Sequence, residues 1–409
     1  MEVNFAGEVP TTAANHVDEH HSEPAIRSEP DLSLKDVLDA TLERHPQFGL
    51  QAAGVARAEA ESDFGSRWFP ESGQLTAFHL SDRAFNDIGA YENEVALAFP
   101  IWLPGEKKAQ SGFGTALEAS TTSTQHEFRW RVSAQLRRAL WQLQAAQRQW
   151  ELATEQEGRL GELLEQVTLF TDAGDFSRAD LLATVQELAL WKAETLGLEA
   201  EYQDAVRYYR ALTGLNAVPA DLQESLSEQQ DLPPDHPALR LAGDHLREAT
   251  AAVHLAGQRN NTRPTVDVFW RGYRGERGGP DVDALGVGFS MPLGKPPRRN
   301  ADVALANENL AMAEAEMLSI QRELELQFHE ARHQLHTTRE QLEISRELVA
   351  AASERYQMDR LSFELGEIST VEWLRRLSGF RDIEQSHELL LIQESAAIAA
   401  YNQAAGDSL

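Results

Sequence analysis

Two halves of this sequence repeat one another at a spacing of 192 residues, so the fold must contain one unit built twice. His45-Pro46 opens the first copy, after an amphipathic stretch of Leu34, Val37, Leu38 and Leu42. His236-Pro237 opens the second, followed by Leu241, Leu246 and Ala249. Each copy then carries two stretches of strand character around a Gly/Asp-rich loop, about 74–79 and 94–101 in the first and 265–271 and 284–291 in the second. Val95, Leu97 and Phe99 fall on Val287, Phe289 and Met291, and Pro100 falls on Pro292. Between these apolar positions stand Glu94, Ala96 and Ala98 in one copy and Ala284, Gly286, Gly288 and Ser290 in the other. That is the period of two of a pleated strand, with one greasy face and one small-residue face. A glycine and a basic pair follow each: Gly105, Lys107 and Lys108, then Gly294, Arg298 and Arg299.

Long helices come next. Neither 107–170 nor 298–361 contains a proline, and helix formers dominate both. About 60 residues at 1.5 Å each make a rod on the order of 90 Å. Leu324, Phe328, Ala331, Leu335, Thr338, Leu342, Ser345, Val349, Ala352 and Tyr356 step by alternating fours and threes. Val132, Leu136, Leu140, Leu143, Ala146, Trp150 and Ala153 form a rougher version of the same seam. Such steps lay one helix face against a neighbour, as in a coiled coil. Each rod ends at a short turn, Gly174 to Leu182 or Gly366 to Leu374, in which Gly, Ser, acid and Leu coincide at the 192-residue offset. Ser177 and Ser369 are N-cap residues, and Asp180 and Glu372 three positions on complete a capping box. Return helices are expected over about 180–213 and 370–404. The organisation is therefore an arm over 1–30, a first repeat over 31–213, a Pro-containing linker over 214–234, a second repeat over 235–404 and a tail over 405–409.

Charge and composition exclude several classes. A formal net charge of −28 opposes binding to the phosphates of nucleic acid. With no cysteine there are no disulfides, thiol catalysis or Cys-zinc sites. No apolar run reaches the roughly 20 residues of a membrane-spanning helix. The first residues lack the basic and apolar regions of a secretory signal, so the chain reads as cytosolic or as a mature form. No nucleophile elbow, phosphate-cradling glycine loop or HExxH occurs, and no pair of acids stands out, so an enzyme is not expected and no catalytic residue or cofactor is assigned.

Four strands per chain cannot close a barrel, and strands in a bilayer must close, because no water satisfies an open edge there. Three chains supply about 12 strands, enough for a pore with a small-residue or polar lining. Val95, Leu97 and Phe99, with Leu285, Val287 and Phe289, would then contact lipid. Trp68, Phe69, Tyr91, Trp102, Trp270 and Tyr273 stand near strand ends, as an interfacial girdle requires. The expected class is mostly α with a small β part.

On the doubled His-Pro, the strand ending in Pro before a basic pair, and the doubled Gly-x-x-Ser-x-x-acid-x-Leu turn, the chain resembles the TolC-like outer-membrane efflux proteins over roughly 31–404. The resemblance implies a homotrimer in the outer membrane of a Gram-negative bacterium, with a 12-stranded barrel and a helical tunnel in the periplasm. It also implies that the tunnel tip docks on a periplasmic adaptor bound to an inner-membrane pump. Gly174, Ser177 and Leu182, with Gly366, Ser369 and Leu374, would be the docking turns. In that family acids on the second tip helix constrict the aperture. Glu372 takes the first such position and Asp180 its counterpart, but Arg375 and Arg376 follow where a second acid is frequent. A Glu372–Arg375 or Glu372–Arg376 pair, within the helix or between protomers, is then a latch or simply solvated helix charge. The stretch Pro100–Ala109 is similar to the strand-to-helix junction of the heavy-metal cation branch.

His16, His20 and His21 in the arm are weak candidates to bind zinc, cobalt or nickel, with a polar arm as the simpler reading. His329, His333 and His336 share one helix face, where solvated wall residues are the better reading. The rival function is a soluble coiled-coil scaffold or adaptor, which suits the long helices and leaves the strand pairs unexplained.

Overall fold

A computed structural model describes residues 26–259, 263–293 and 298–409. In chain order the elements are β1 (Arg27–Glu29), α1 (Leu34–Arg44), α2 (Phe48–Ser66), β2 (Gln74–Ser81), β3 (Tyr91–Pro100), α3 (Glu106–Ala173), α4 (Arg178–Thr213) and β4 (Ala217–Pro219). The second copy runs α5 (Pro237–Gln258), β5 (Thr265–Arg274), β6 (Val282–Ser290), α6 (Arg299–Glu364) and α7 (Thr370–Ala404). Both return helices start 192 residues apart, at Arg178 and Thr370.

The rods are longer than the sequence pattern alone marks. α3 has 68 residues and α6 has 66, each about 100 Å at 1.5 Å per residue. α3 is bounded by Gly105 and Gly174, both left-handed, at φ of +85° and +92°. Glycine carries no Cβ penalty there, so the backbone turns out of the helix at both ends without strain. α3 packs against α2 and α5 in its first half and against α4 and α7 in its second, while α6 meets α5 and then α7.

Three apolar clusters hold this arrangement. The seam residues Val132, Leu136, Leu140 and Leu143 of α3 bury against Val37 and Leu38 of α1 and Tyr202, Val206 and Tyr209 of α4. Phe328 and Leu335 of α6 bury against Ala397, Tyr401 and Ala404 near the end of α7. A third cluster, at the turns, joins all four long helices. The alternating steps thus buried as a seam in both copies, with Leu342 of α6 at 1 % exposure.

The segments outside the two repeats are tied to them. Arm residues 27–29 are a strand, pairing in parallel with 217–219 of the linker. The linker is not a free spacer: Arg137, nearly buried on α3, pairs with Glu224 at 2.6 Å, and Asn402 of α7 hydrogen bonds the backbone of Ser225 and Ser227. The tail is tied as well, because Arg137 donates to the Asp407 carbonyl at 2.8 Å and the Leu409 amide donates to Ser133 Oγ at 3.3 Å. Proline and polar residues mark both segments as irregular backbone, and pattern cannot see the buried arginine that organises them.

β2, β3, β5 and β6 form one antiparallel sheet in that order. β2 and β6 are its edges, and among the described residues no further strand pairs with them.

Candidate functional site

Two regions carry the residues singled out from sequence: the sheet and the turns at the far end of the rods. The strand ladders fix which side chains share a face. Leu97 pairs with Leu75 and Val268, and Val268 pairs with Val287. Val95 lies opposite Ala77 and Trp270, and Trp270 opposite Leu285. Phe99 lies opposite Val266, which lies opposite Phe289. All six expected lipid-facing residues therefore share one face of the sheet. Leu285, Val287 and Phe289 are 81, 75 and 62 % exposed, an apolar surface that a soluble sheet would cover.

The opposite face carries small and polar residues towards the helical end, among them Gln74, Thr76, Ala98, Gly286 and Gly288, and Phe78, Leu80, Tyr273 and Val282 towards the loop end. Phe269 lies over Gly286 and Asp267 over Gly288, where a Cβ would collide with each. Arg271 is held between Glu94 at 2.6 Å and Glu92 at 3.1 Å.

The aromatic residues divide between the two ends, with one exception. Phe69 stacks on Phe99 at 4.8 Å, and Trp102 donates to the Arg67 carbonyl at 3.1 Å, both at the helical end. At the loop end Tyr91 donates to Asp281 at 2.6 Å, and Asp281 also receives Arg274. Trp270 is a correction: it stands in mid-strand opposite Val95, and its ring covers Gly272.

The Pro100–Ala109 junction holds a pair that sequence spacing did not reveal. Glu106, 1 % exposed, accepts from Arg263 at 2.6 Å, and Arg263 also pairs with Glu71 and lies over Trp102. This ion pair fixes the start of α3 to the start of β5.

At the far end, Gly174 and Gly366 both adopt positive φ, at +92° and +76°, and close the two helix hairpins. Leu160, Leu163 and Val167 pack there with Trp191, Phe363, Trp373, Leu374 and Leu377. Phe176 in the first turn touches Phe170 and Phe363, so the two turns are stitched together by rings. Leu182 is exposed, but its counterpart Leu374 is 6 % exposed and packs inward. Leu374 is thus a core residue of the tip, not an outward contact. The 192-residue offset equates the two leucines in sequence, while the aromatics of α6 and α7 enclose only the second.

The caps also differ. Ser177 accepts from the Asp180 amide and Asp180 accepts from the Ser177 amide, a complete capping box. Hydrogen bonds from Ser177 hold the Asp180 carboxyl below its usual range. Ser369 accepts from the Glu372 amide at 3.3 Å, but Glu372 does not return the bond. Its carboxylate turns instead to Arg375, at 2.7 and 3.0 Å, and to Arg376 at 2.7 Å. Two cationic guanidiniums, one of them bidentate, outcompete one neutral backbone amide for the carboxylate. Those bonds, Arg375 first, hold the Glu372 carboxyl at about 2.

Arg376 continues across to α6. It pairs with Asp359, which also receives Arg355 at 3.2 Å. Asp359 is buried, and no local pattern marks it, since it lies 13 positions before Glu372 on another helix. The tip thus holds two acids and three arginines in one string, a net charge of +1.

His329 bonds Arg332 and His336 faces Glu340 at 3.5 Å. Among the described residues no group of three or more His, Cys, Asp or Glu is placed to hold a metal ion. His16, His20 and His21 lie outside the described residues, as does Gly294.

No protein-family model matches the sequence, and no curated protein is similar to it. Solved structures are similar. The outer membrane protein VceC of Vibrio cholerae superposes with a TM-score of 0.73 at 15 % identity, over 91 % of this chain and 96 % of that one. CusC, described for its transmembrane channel formation, gives 0.73 at 14 % identity, over 91 and 92 %. The outer-membrane channel OprN gives 0.69 at 18 % identity, over 99 and 98 %. The superpositions extend over nearly the whole of each chain, and the chain has the fold of the TolC-like outer-membrane channels.

Proposed function

We propose that this chain is one protomer of a trimeric outer-membrane efflux channel, a passive duct of a tripartite pump. One observation carries the reading: a four-stranded sheet with two edges unpaired among the described residues and one face that is apolar over its helical half, from Leu75, Leu97 and Phe99 to Leu285, Val287 and Phe289. Open edges and exposed leucines are a liability in water. Both are resolved if β6 of one copy pairs with β2 of the next and the apolar face meets lipid. A scaffold of long helices has no use for such a sheet. The exposed turns around Gly174, Ser177 and Leu182, with Gly366 and Ser369, are the surface proposed for the adaptor.

Heavy-metal cations are the proposed cargo, supported by the likeness of Pro100–Ala109 to that branch of the family. A duct need not recognise what it passes, so pump and adaptor carry the choice.

The first test is mass and location behind a secretory signal. Detergent extracts of the outer membrane should contain a species of three 45.6 kDa chains, about 137 kDa by light scattering. A monomer or dimer that stays soluble without detergent would refute the channel.

A further inference from the structure

One carboxylate on the small-residue face of the sheet has no counter-ion. Across the ladders, Gln74, Ala98, Asp267 and Gly288 stand side by side at the helical end of β2, β3, β5 and β6. Two tiers away Arg271 is neutralised between Glu94 and Glu92. Asp267 has Ala98 on one side and Gly288 on the other, neither with a side-chain donor. No ion pair or hydrogen bond reaches its carboxylate among the described residues. The missing side chain at Gly288 is what leaves room for it, because a Cβ there would collide with the carboxylate oxygens. In the closed barrel this face lines the pore, and the inference rests on that reading.

We propose that Asp267 determines charge preference at the inner end of the barrel, favouring cations over anions. Three copies stand four strand spacings apart along the wall, about 19 Å. Metal–oxygen bonds are about 2–2.6 Å, so the three carboxylates cannot chelate one ion. They act through their field, which reaches about 8 Å at physiological salt and about 30 Å at 0.01 M. A cation crossing from tunnel to barrel meets a favourable potential there, and an anion meets an unfavourable one.

The absence of native cysteine makes a local test available. Gln74→Cys places one thiol on the same tier, two strand spacings or about 10 Å from Asp267. The trimer in liposomes at low salt is treated with cationic and anionic methanethiosulfonates, and the ratio of the two rates is measured. The ratio cancels any effect of the carboxylate on the ionisation of the thiol itself. Adding Asp267→Asn should lower the cationic-to-anionic ratio roughly fourfold at low salt, and the difference should vanish near 1 M. An equal ratio with Asp and Asn at position 267 overturns the inference while leaving the pore intact. Leu75→Cys, on the opposite face, separates the two failures. If it reacts freely and Gln74→Cys does not, the pore reading itself is wrong.

Discussion

His236 shows how much one buried side chain can tie to pH. It caps α5 by accepting the Ala238 amide at Nδ1, 3.2 Å away, and packs edge-on against Trp130 at 4.8 Å. Its Nε2 is buried with no hydrogen-bond partner among the described residues. Burial pushes its pKa down to about 4, against a smaller opposing pull from Asp235 and Asp407. The unfolded chain therefore binds this proton more readily than the folded one. The resulting stability is complete above about 6.5 and is lost as pH falls towards 4, an effect of up to roughly 3 kcal/mol. We expect thermal unfolding of the wild type to drop more steeply between pH 7 and 4.5 than that of His236→Gln; parallel curves would exclude this role. The duplicated His-Pro was legible as a repeat marker. Its capping and stacking were not, because Trp130 is more than 100 positions away. The two tip serines allow a sharper comparison. Ser177→Ala should cost about 1 kcal/mol of local stability. Ser369→Ala should cost less, since its box is half made, and amide exchange at the two turns measures both.

At the scale of elements, the arginine string decides how the tip is held. Arg375 bonds only Glu372 on its own helix, whereas Arg376 joins Glu372 to Asp359 and so ties α7 to α6. If the string restrains the aperture, Arg376→Ala should lengthen open times in planar bilayers and Arg375→Ala should change them little. Equal, unchanged conductance and closure in the double variant would reduce the string to ordinary helix charge. Glu372 stays ionised until pH falls through about 2, so acidification to pH 5 should leave the string intact. The helices and turns around it could be read from periodicity, proline absence and the Gly-x-x-Ser spacing, all local signals. Asp359 and the inward turn of Leu374 could not, because each depends on which helix lies opposite.

For the whole molecule, the proposed channel turns on one face of one sheet meeting lipid. Val287, in the middle tier of β6, is the most direct probe. Val287→Arg should cost about 2–4 kcal/mol at the bilayer midplane and deplete the trimer from the outer membrane. Thr76→Arg, on the opposite face, should leave assembly intact, and heat-modified mobility on gels distinguishes them. Equal tolerance at both positions would contradict the orientation of the sheet. The alternation along each strand was legible from single residues, whereas the order β2-β3-β5-β6 was not, since period two says nothing about which strand is the neighbour. That order has a consequence for assembly. Adding 192 to β3 gives 283–292, which overlies β6 at 282–290, and subtracting it from β5 gives 73–82, which overlies β2 at 74–81. The ladder between β3 and β5 is therefore the same joint, by descent of sequence, as the one β6 must make with β2 of a neighbour. Each copy would then rehearse inside itself the seam it needs outside, and the proposed ring would be sixfold in its parts although threefold in its chains.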